Sequence, residues 1–382
     1  MNFKIILNKI TTNPKSGGII LTACTIISLI ISNSQISTSY INFWNISFLN
    51  HSITHWVNDG LMSIFFLLIG LELQKEIKIG ELSNIKRALF PIICALGGVV
   101  APTLIFSIFN FGSSQQSGAG IPMATDIAFV IGVLSLLGNK VPSSLKVFLV
   151  ALAVIDDLCA ILVIAFFYTN HISLFYLLIA LLIIILLFIL RKKNVYVLWP
   201  YMILGVALWY CFLHSGIHAT IAGVLLAFII PFKNIKENNP AEKLEHLLHY
   251  PVHFFILPVF ALANTCIFFG ANWIDGIATN LSLGIITGLL IGKPLGIIAF
   301  GRIATAMNIC KPPSDLTWKH IYASSILGGI GFTMSIFITM LAFENETFIT
   351  TSKIAVILAS VIAVLLGLFS LEILLKKRIE KH

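Results

Sequence analysis

Charge is scarce in this sequence. Asp, Glu, Lys and Arg make up 10% of the 382 residues, 58% are hydrophobic, and the mean hydropathy is +0.98. A soluble chain is about a quarter charged, so a soluble globular protein is excluded and an integral membrane protein is indicated. Low-complexity tracts and long polar linkers are missing too, which leaves one membrane domain over residues 1–382 as the expected organisation. The six cysteines (Cys24, Cys94, Cys159, Cys211, Cys266 and Cys310) form no C-x-x-C pair and fall mostly within apolar runs, so they imply neither a disulfide nor a metal centre. His246, His249 and His253 keep a helical i, i+3, i+7 spacing, but no H-E-x-x-H accompanies them and no zinc site is expected. The stretch before Gly17 is polar and no A-x-A-like site follows the first apolar run, so no cleaved signal peptide is expected.

What the chain has instead is apolar runs. Hydropathy marks twelve candidate spans, near 17–32, 59–74, 88–109, 119–137, 147–168, 172–190, 196–212, 215–231, 250–270, 281–301, 321–342 and 354–375. Of the 24 basic residues, all but Lys293 and Lys353 fall at the two termini or in every second connection. The alternate connections are nearly free of them. The positive-inside rule then places both termini in the cytoplasm. The net charge of +8 is thus an outcome of topology, and no nucleic-acid partner is expected.

Three acids sit at membrane depth: Asp126, Asp156 and Asp157. An ionised side chain there costs about 2.5–3.5 kcal/mol even on the lenient insertion scale, so each is a functional-site candidate. Lys293, inside the span 281–301, is the one intramembrane cation available to face them. Asp156 and Asp157 are successive helix residues, about 100° apart. The expectation is that one faces the span bearing Asp126 while the other faces Lys293.

Two spans are interrupted. Asp126 lies in GAGIPMATDIAFVIGVLSLLG, broken by Gly118, Gly120 and Pro122, and the span 321–342 is broken by Gly328, Gly329 and Gly331. Pro122 lacks an N–H, which frees a carbonyl, and free backbone at membrane depth persists only where it is buried or lines a wet cavity. Each broken span is the middle of a triplet (88–169 and 281–375), and the two triplets run in opposite directions. This is the inverted-repeat pattern of secondary transporters, with an ion site where the broken helices meet. Carboxylates, the Thr125 hydroxyl and freed carbonyls are hard oxygen ligands, suited to a small hard cation. A carboxyl that holds a proton when no cation is bound, and releases it to bind one, is sufficient for antiport.

The stretches VNDGLMSIFFLLIGLELQKE (57–76), IPMATDIAFVIGVLSLLG (121–138), FLVALAVIDDLCAILVIAFFYTN (148–170), HSGIHATIAGV (214–224), LEHLLH (244–249), GKPLG (292–296) and GGIGFTMSIFI (328–338) closely resemble the bacterial NhaA sodium/proton antiporters. That family is itself an established example of the inverted-repeat plan. The resemblance implies an all-α integral membrane fold of twelve transmembrane helices, with inverted repeats and two broken, crossing helices. It also implies pH-regulated, electrogenic exchange of cytoplasmic Na+ or Li+ for external H+ across the bacterial inner membrane, about two H+ per Na+, without a cofactor.

Carried over by motif, Asp157 is the main ligand of the transported Na+. Asp156 is a ligand or proton carrier paired with Lys293, and Thr125 and Asp126 balance helix-end charges at the break. Cys159 departs from the family's usual Gly, which bears on helix packing beside Asp157.

The resemblance also assigns pH sensing to Glu72, Glu76, Glu245, His246 and His249, and a pH effect to His218. Asp59, read from its position as a helix N-cap, takes a role in structure or cation access. In the outer loop 33–58 INFWNISFLN alternates as in a short hairpin; in the family such a hairpin joins two protomers, so the resemblance implies a homodimer. Membrane lipids are the remaining partners.

Three other functions fit less well. An intramembrane aspartyl protease would need YD and GxGD-type motifs, which are missing. A Na+-coupled solute symporter would need a larger polar pocket at the midplane. A channel would line its pore with a ring of polar groups, and the site residues here are few and titratable.

Overall fold

Apolar runs that must satisfy their own backbone in lipid fold as helices. A computed structural model describes residues 15–138, 141–168, 173–232, 239–270 and 273–379, and almost all of them are helical. Lys4, Lys9, Lys140, Lys233, Lys236 and Lys381, which contribute to the charge asymmetry, and the connection 169–171 lie outside the described residues.

The helices are α1 (Lys15–Ser32), α2 (Ser37–Trp44), α3 (Ile53–Lys78), α4 (Ile85–Asn110), α5 (Ile127–Leu136), α6 (Ser143–Phe167), α7 (Leu174–Lys192), α8 (Trp199–Ser215), α9 (Thr220–Ile229), α10 (Pro240–Asn264), α11 (Trp273–Ile277), α12 (Asn280–Ala306), α13 (Trp318–Gly328), α14 (Phe332–Ala342) and α15 (Glu346–Ile379). A 3-10 stretch, Gln116–Met123, precedes α5. Among the described residues nine helices are long and apolar enough to cross a membrane, or eleven if the bent pairs α1–α2 and α13–α14 each count as one span. The protein is therefore a multi-pass membrane protein. The expected span 215–231 forms only the ten-residue α9, about 15 Å long, so a count of twelve rests on a half-length helix.

Three local expectations need correction. Asp59 caps nothing: α3 starts six residues earlier, where the Ser52 hydroxyl accepts the His55 N–H at 3.1 Å, and Asp59 lies in a π-helical turn, Trp56–Leu61. Hydropathy marks where apolar residues begin, and the helix continues beyond them. The alternating INFWNISFLN is mostly not strand, because its first residues complete α2. The hairpin is two residues a side, Ser47–Phe48 against His51–Ser52, turned by Leu49 and Asn50 at positive φ (50° and 66°), as a tight hairpin turn requires. Finally, the run 250–270 belongs to a helix that starts at Pro240 and stops at Asn264, so LEHLLH shares that helix.

The chain packs into two units. One comprises the chain up to Leu29, Asn84–Ala160 and the chain from Ile267. Here α4 and α12 cross in backbone contact: a Cβ on Gly97 would lie 2.2 Å from the Gly296 carbonyl oxygen. Small residues at a crossing permit such an approach in a membrane. The other unit comprises Ile30–Ser83 and Ile161–Cys266. Its core includes Leu67, Leu71, Leu187, Tyr201, Leu208 and Leu226, and Gly223 of α9 lies as close to the backbone of Ser63 in α3. The short α9 ends inside the protein because other side chains cap it: Gln74 donates to the Ile230 carbonyl at 3.0 Å and Arg191 to that of Phe228 at 2.9 Å.

Candidate functional site

In the first unit the two broken spans cross, and their freed backbone groups answer one another. The chain is extended at Ala124 and Asp126, between the 3-10 stretch and α5. The second break, Gly329–Gly331, bends α14 from α13 by 47°. The Asp126 N–H donates to the Ile330 carbonyl at 2.7 Å, the Thr125 hydroxyl reaches the Gly328 carbonyl at 2.9 Å, and the Ser335 hydroxyl donates to the Ile121 carbonyl at 2.7 Å. Each break thus supplies partners for carbonyls that the other leaves open, as burial demands.

Asp126 closes the crossing. Its Oδ1 accepts the Phe129 N–H at 2.9 Å, capping α5, while Oδ2 accepts both the N–H (3.0 Å) and the hydroxyl of Thr333 at the start of α14. One carboxylate therefore serves two helix N-termini, where negative charge is favoured.

Asp156, on α6, meets the first break and Lys293 together. Its Oδ2 accepts the Thr125 hydroxyl at 2.6 Å and the Lys293 ammonium at 2.8 Å. Lys293 also donates to the Met123 carbonyl, freed by the 3-10 stretch. A π-helical turn, Gly288–Gly292, immediately precedes Lys293, whose N–H reaches back five residues to Gly288. Pro294, the next residue, has no N–H to continue the helical ladder, which accounts for the irregularity at this point. Asp157, one residue on, lies within electrostatic range of Lys293.

Thr125, Asp126, Asp156, Asp157 and Lys293 are each at most 2% exposed. Three carboxyls and one ammonium at that burial leave the charges unbalanced. Protons or a small hard cation can balance them. The Oδ1 of Asp156 is buried without a hydrogen-bond partner among the described residues, which fits a carboxylate with ligand capacity to spare.

The glycines of the breaks act by space, since neither Gly329 nor Gly331 has positive φ. A Cβ on Gly329 would lie 2.5 Å from the Leu289 carbonyl oxygen, and one on Gly118 would lie 2.6 Å from the Phe343 ring. Gly328 has room. Gly120 and Pro122 are buried within the 3-10 stretch.

The remaining candidates lie in the second unit, at opposite ends of α3. At one end Lys75 pairs with Glu245 at 2.8 Å, with Glu72 in electrostatic range of both. Glu76 accepts the Glu81 N–H at 3.0 Å. On α10, His249 stacks on His253 at 4.3 Å, and His246 is exposed. At the other end Asp59 meets His55 at 3.2 Å and interacts electrostatically with His218, which precedes α9. Thirteen residues of helix separate Asp59 from Glu72, about 20 Å, so His218 stands apart from the other five.

A sequence profile of the Na+/H+ antiporter 1 family matches residues 8–371. The chain belongs to that family. Among its relatives, the Na(+)/H(+) antiporter NhaA of Cytophaga hutchinsonii is 56% identical over 365 residues, 96% of this chain and 94% of its own. The Na(+)/H(+) antiporter NhaA 1 of Flavobacterium johnsoniae is 58% identical over 363 residues (95% of each), and that of Clostridium beijerinckii 45% identical over 381 (97% and 95%).

For this member of the antiporter family, sequence reasoning divided two tasks that the structure gives to one residue. Asp156 touches both the first break and Lys293, because one carboxylate oxygen can accept two donors. Asp126 turns instead to Thr333. Thr333 and Ser335 escaped notice in the sequence. Their signal was position alone, as hydroxyls at the start of the second half-helix.

Proposed function

We propose that the chain exchanges cytoplasmic Na+ or Li+ for external H+ by alternating access, as a secondary transporter, not an enzyme, and without a cofactor. One observation carries this reading: the buried Asp156–Lys293 pair set against a crossing of two broken helices. The relatives, Na(+)/H(+) antiporters by name, point the same way. In this reading Asp157 and Asp156 hold the transported cation, with Thr125 as a further oxygen. Without the cation, the same groups are neutralised by protons and by Lys293. Asp126 keeps the crossing assembled by binding both half-helices. A cation that displaces two protons gives electrogenic exchange of about two H+ per Na+, whether Asp156 or Lys293 carries the second proton.

Glu72, Glu76, Glu245, His246 and His249 serve as the cytoplasmic pH-sensing region. His218 modulates the pH response beside Asp59, which guards structure or cation access at the outer end. The chain works as one transporter domain of twelve spans in the bacterial inner membrane, with both termini cytoplasmic. It forms a homodimer through the hairpin of loop 33–58.

Everted membrane vesicles holding a respiration-driven ΔpH, read with a pH-sensitive dye, test the exchange. NaCl is expected to collapse the gradient with the wild type and not with Asp157→Asn, across about pH 6.5 to 8.5. A wild type silent to Na+ and Li+ at every pH contradicts antiport.

A further inference from the structure

One face of the first unit gathers cations around a tryptophan. The guanidinium of Arg302, near the end of α12, lies over the Trp318 ring at 5.3 Å. Trp318 opens α13 and meets the Phe90 ring at 6.2 Å. Phe90 is in the second turn of α4 and meets Phe148 of α6 at 5.7 Å. These contacts bring the beginnings of α4, α6 and α13 to the end of α12. Arg87, one helical turn before Phe90, Lys146, in the first turn of α6, and Lys319, beside Trp318, are all exposed, as is Arg302.

Among the described residues none of these four cations is in an ion pair. Asp315, three residues before Trp318, accepts the Ser144 hydroxyl. Exposed apolar side chains lie close in sequence to the charges: Ile85, two residues before Arg87, Ile303, next to Arg302, and Met307, one turn after Ile303. Cations, an interfacial tryptophan and bare aliphatic side chains together match one kind of ligand.

We propose that this face binds the headgroup of an anionic phospholipid. The Arg302 guanidinium, 5.3 Å from the centre of the Trp318 ring, has no carboxylate partner among the described residues, and its N–H fork can take two phosphate oxygens. Arg87 and Lys319 add charge beside it. Ile85, Ile303 and Met307 take the first carbons of the acyl chains. A soluble phosphate would use the cations and leave the aliphatic border without a purpose, and a tryptophan at this level is usual where protein meets headgroups. Basic pockets between transmembrane helices bind such lipids. The site stands on the chain's being a membrane protein and is independent of the ion it carries.

The test is native mass spectrometry of the full chain in neutral detergent, with equimolar phosphatidylglycerol and phosphatidylcholine of identical acyl chains. The wild type is expected to retain phosphatidylglycerol in preference. Arg302→Ala/Lys319→Ala is expected to lower that preference roughly tenfold, whereas Lys192→Ala/Lys193→Ala, at the basic end of α7, leaves it unchanged. An unaltered preference in the first double variant overturns the proposal. So does binding of glycerol 3-phosphate as tight as that of the lipid. Should the double variant fail to fold, Arg302→Lys decides, since it keeps the charge but loses the planar fork: a weakened preference supports the site and an unchanged one overturns it.

Discussion

Replacing Lys293 by alanine tests the buried pair by its energetics. Lys293 Nζ lies 2.8 Å from Asp156 Oδ2, both side chains are 0% exposed, and the ammonium also serves the Met123 carbonyl. Lys293→Ala leaves a carboxylate without its counter-charge, a change that costs about 3–5 kcal/mol when a buried pair loses one partner. The Met123 carbonyl loses its donor as well, about 1–3 kcal/mol more if nothing replaces it. The variant can lessen the loss by placing a proton on Asp156. A proton held in the folded state and absent from the unfolded one makes stability fall as pH rises, by about 1.4 kcal/mol per pH unit.

The assay is the melting temperature of purified protein in detergent, from about pH 5 to pH 9. Lys293→Ala is expected to melt several degrees below the wild type, with a gap that widens toward alkaline pH. Lys293→Ala/Asp156→Asn is expected to recover much of the loss, because neither charge remains. A single variant that melts with the wild type at all pH values refutes the reasoning, and so does a double variant no better than the single.

Two further outcomes follow from the crossing. Thr333→Val removes one of the two donors that α14 offers to Asp126 Oδ2 and keeps the backbone N–H. It is expected to cost about 1.5–3 kcal/mol, the range for a bond to a charged group, seen as a lower melting temperature, whereas Thr339→Val, which loses only a bond within its own helix, costs less. Gly97→Leu drives a side chain into the Gly296 backbone. It is expected to destabilise by at least about 1–3 kcal/mol, and a variant purified in normal yield with an unchanged melting temperature contradicts the close approach of α4 and α12.

How far the molecule could be read from its residues varies by level. The apolar runs marked nearly every long helix, since in lipid a run of that length has few alternatives to a helix. They misplaced ends: α3 begins at Ile53 and α10 at Pro240, both in less apolar sequence that hydropathy does not register. The alternation in loop 33–58 marked a real hairpin but overran it, because a few residues of period two are also compatible with a helix end, and α2 takes the first of them. At the site, cost alone singled out Asp126, Asp156, Asp157 and Lys293. Their pairing was not legible. Which oxygen meets which donor depends on how the two breaks cross, and the 100° step between successive residues limits directions without choosing partners. Thr333 stayed hidden for the same reason, as a hydroxyl whose importance comes from a neighbour 207 positions away.

One buried site that holds either Na+ or protons must release protons when Na+ binds. This is measured as proton release on adding Na+ to purified protein in weakly buffered detergent, recorded at several starting pH values. Release is expected to approach about two protons for each Na+ bound where the site begins protonated, and none is expected from Asp157→Asn. Saturable Na+ binding by the wild type with no proton released at any pH would contradict a shared site.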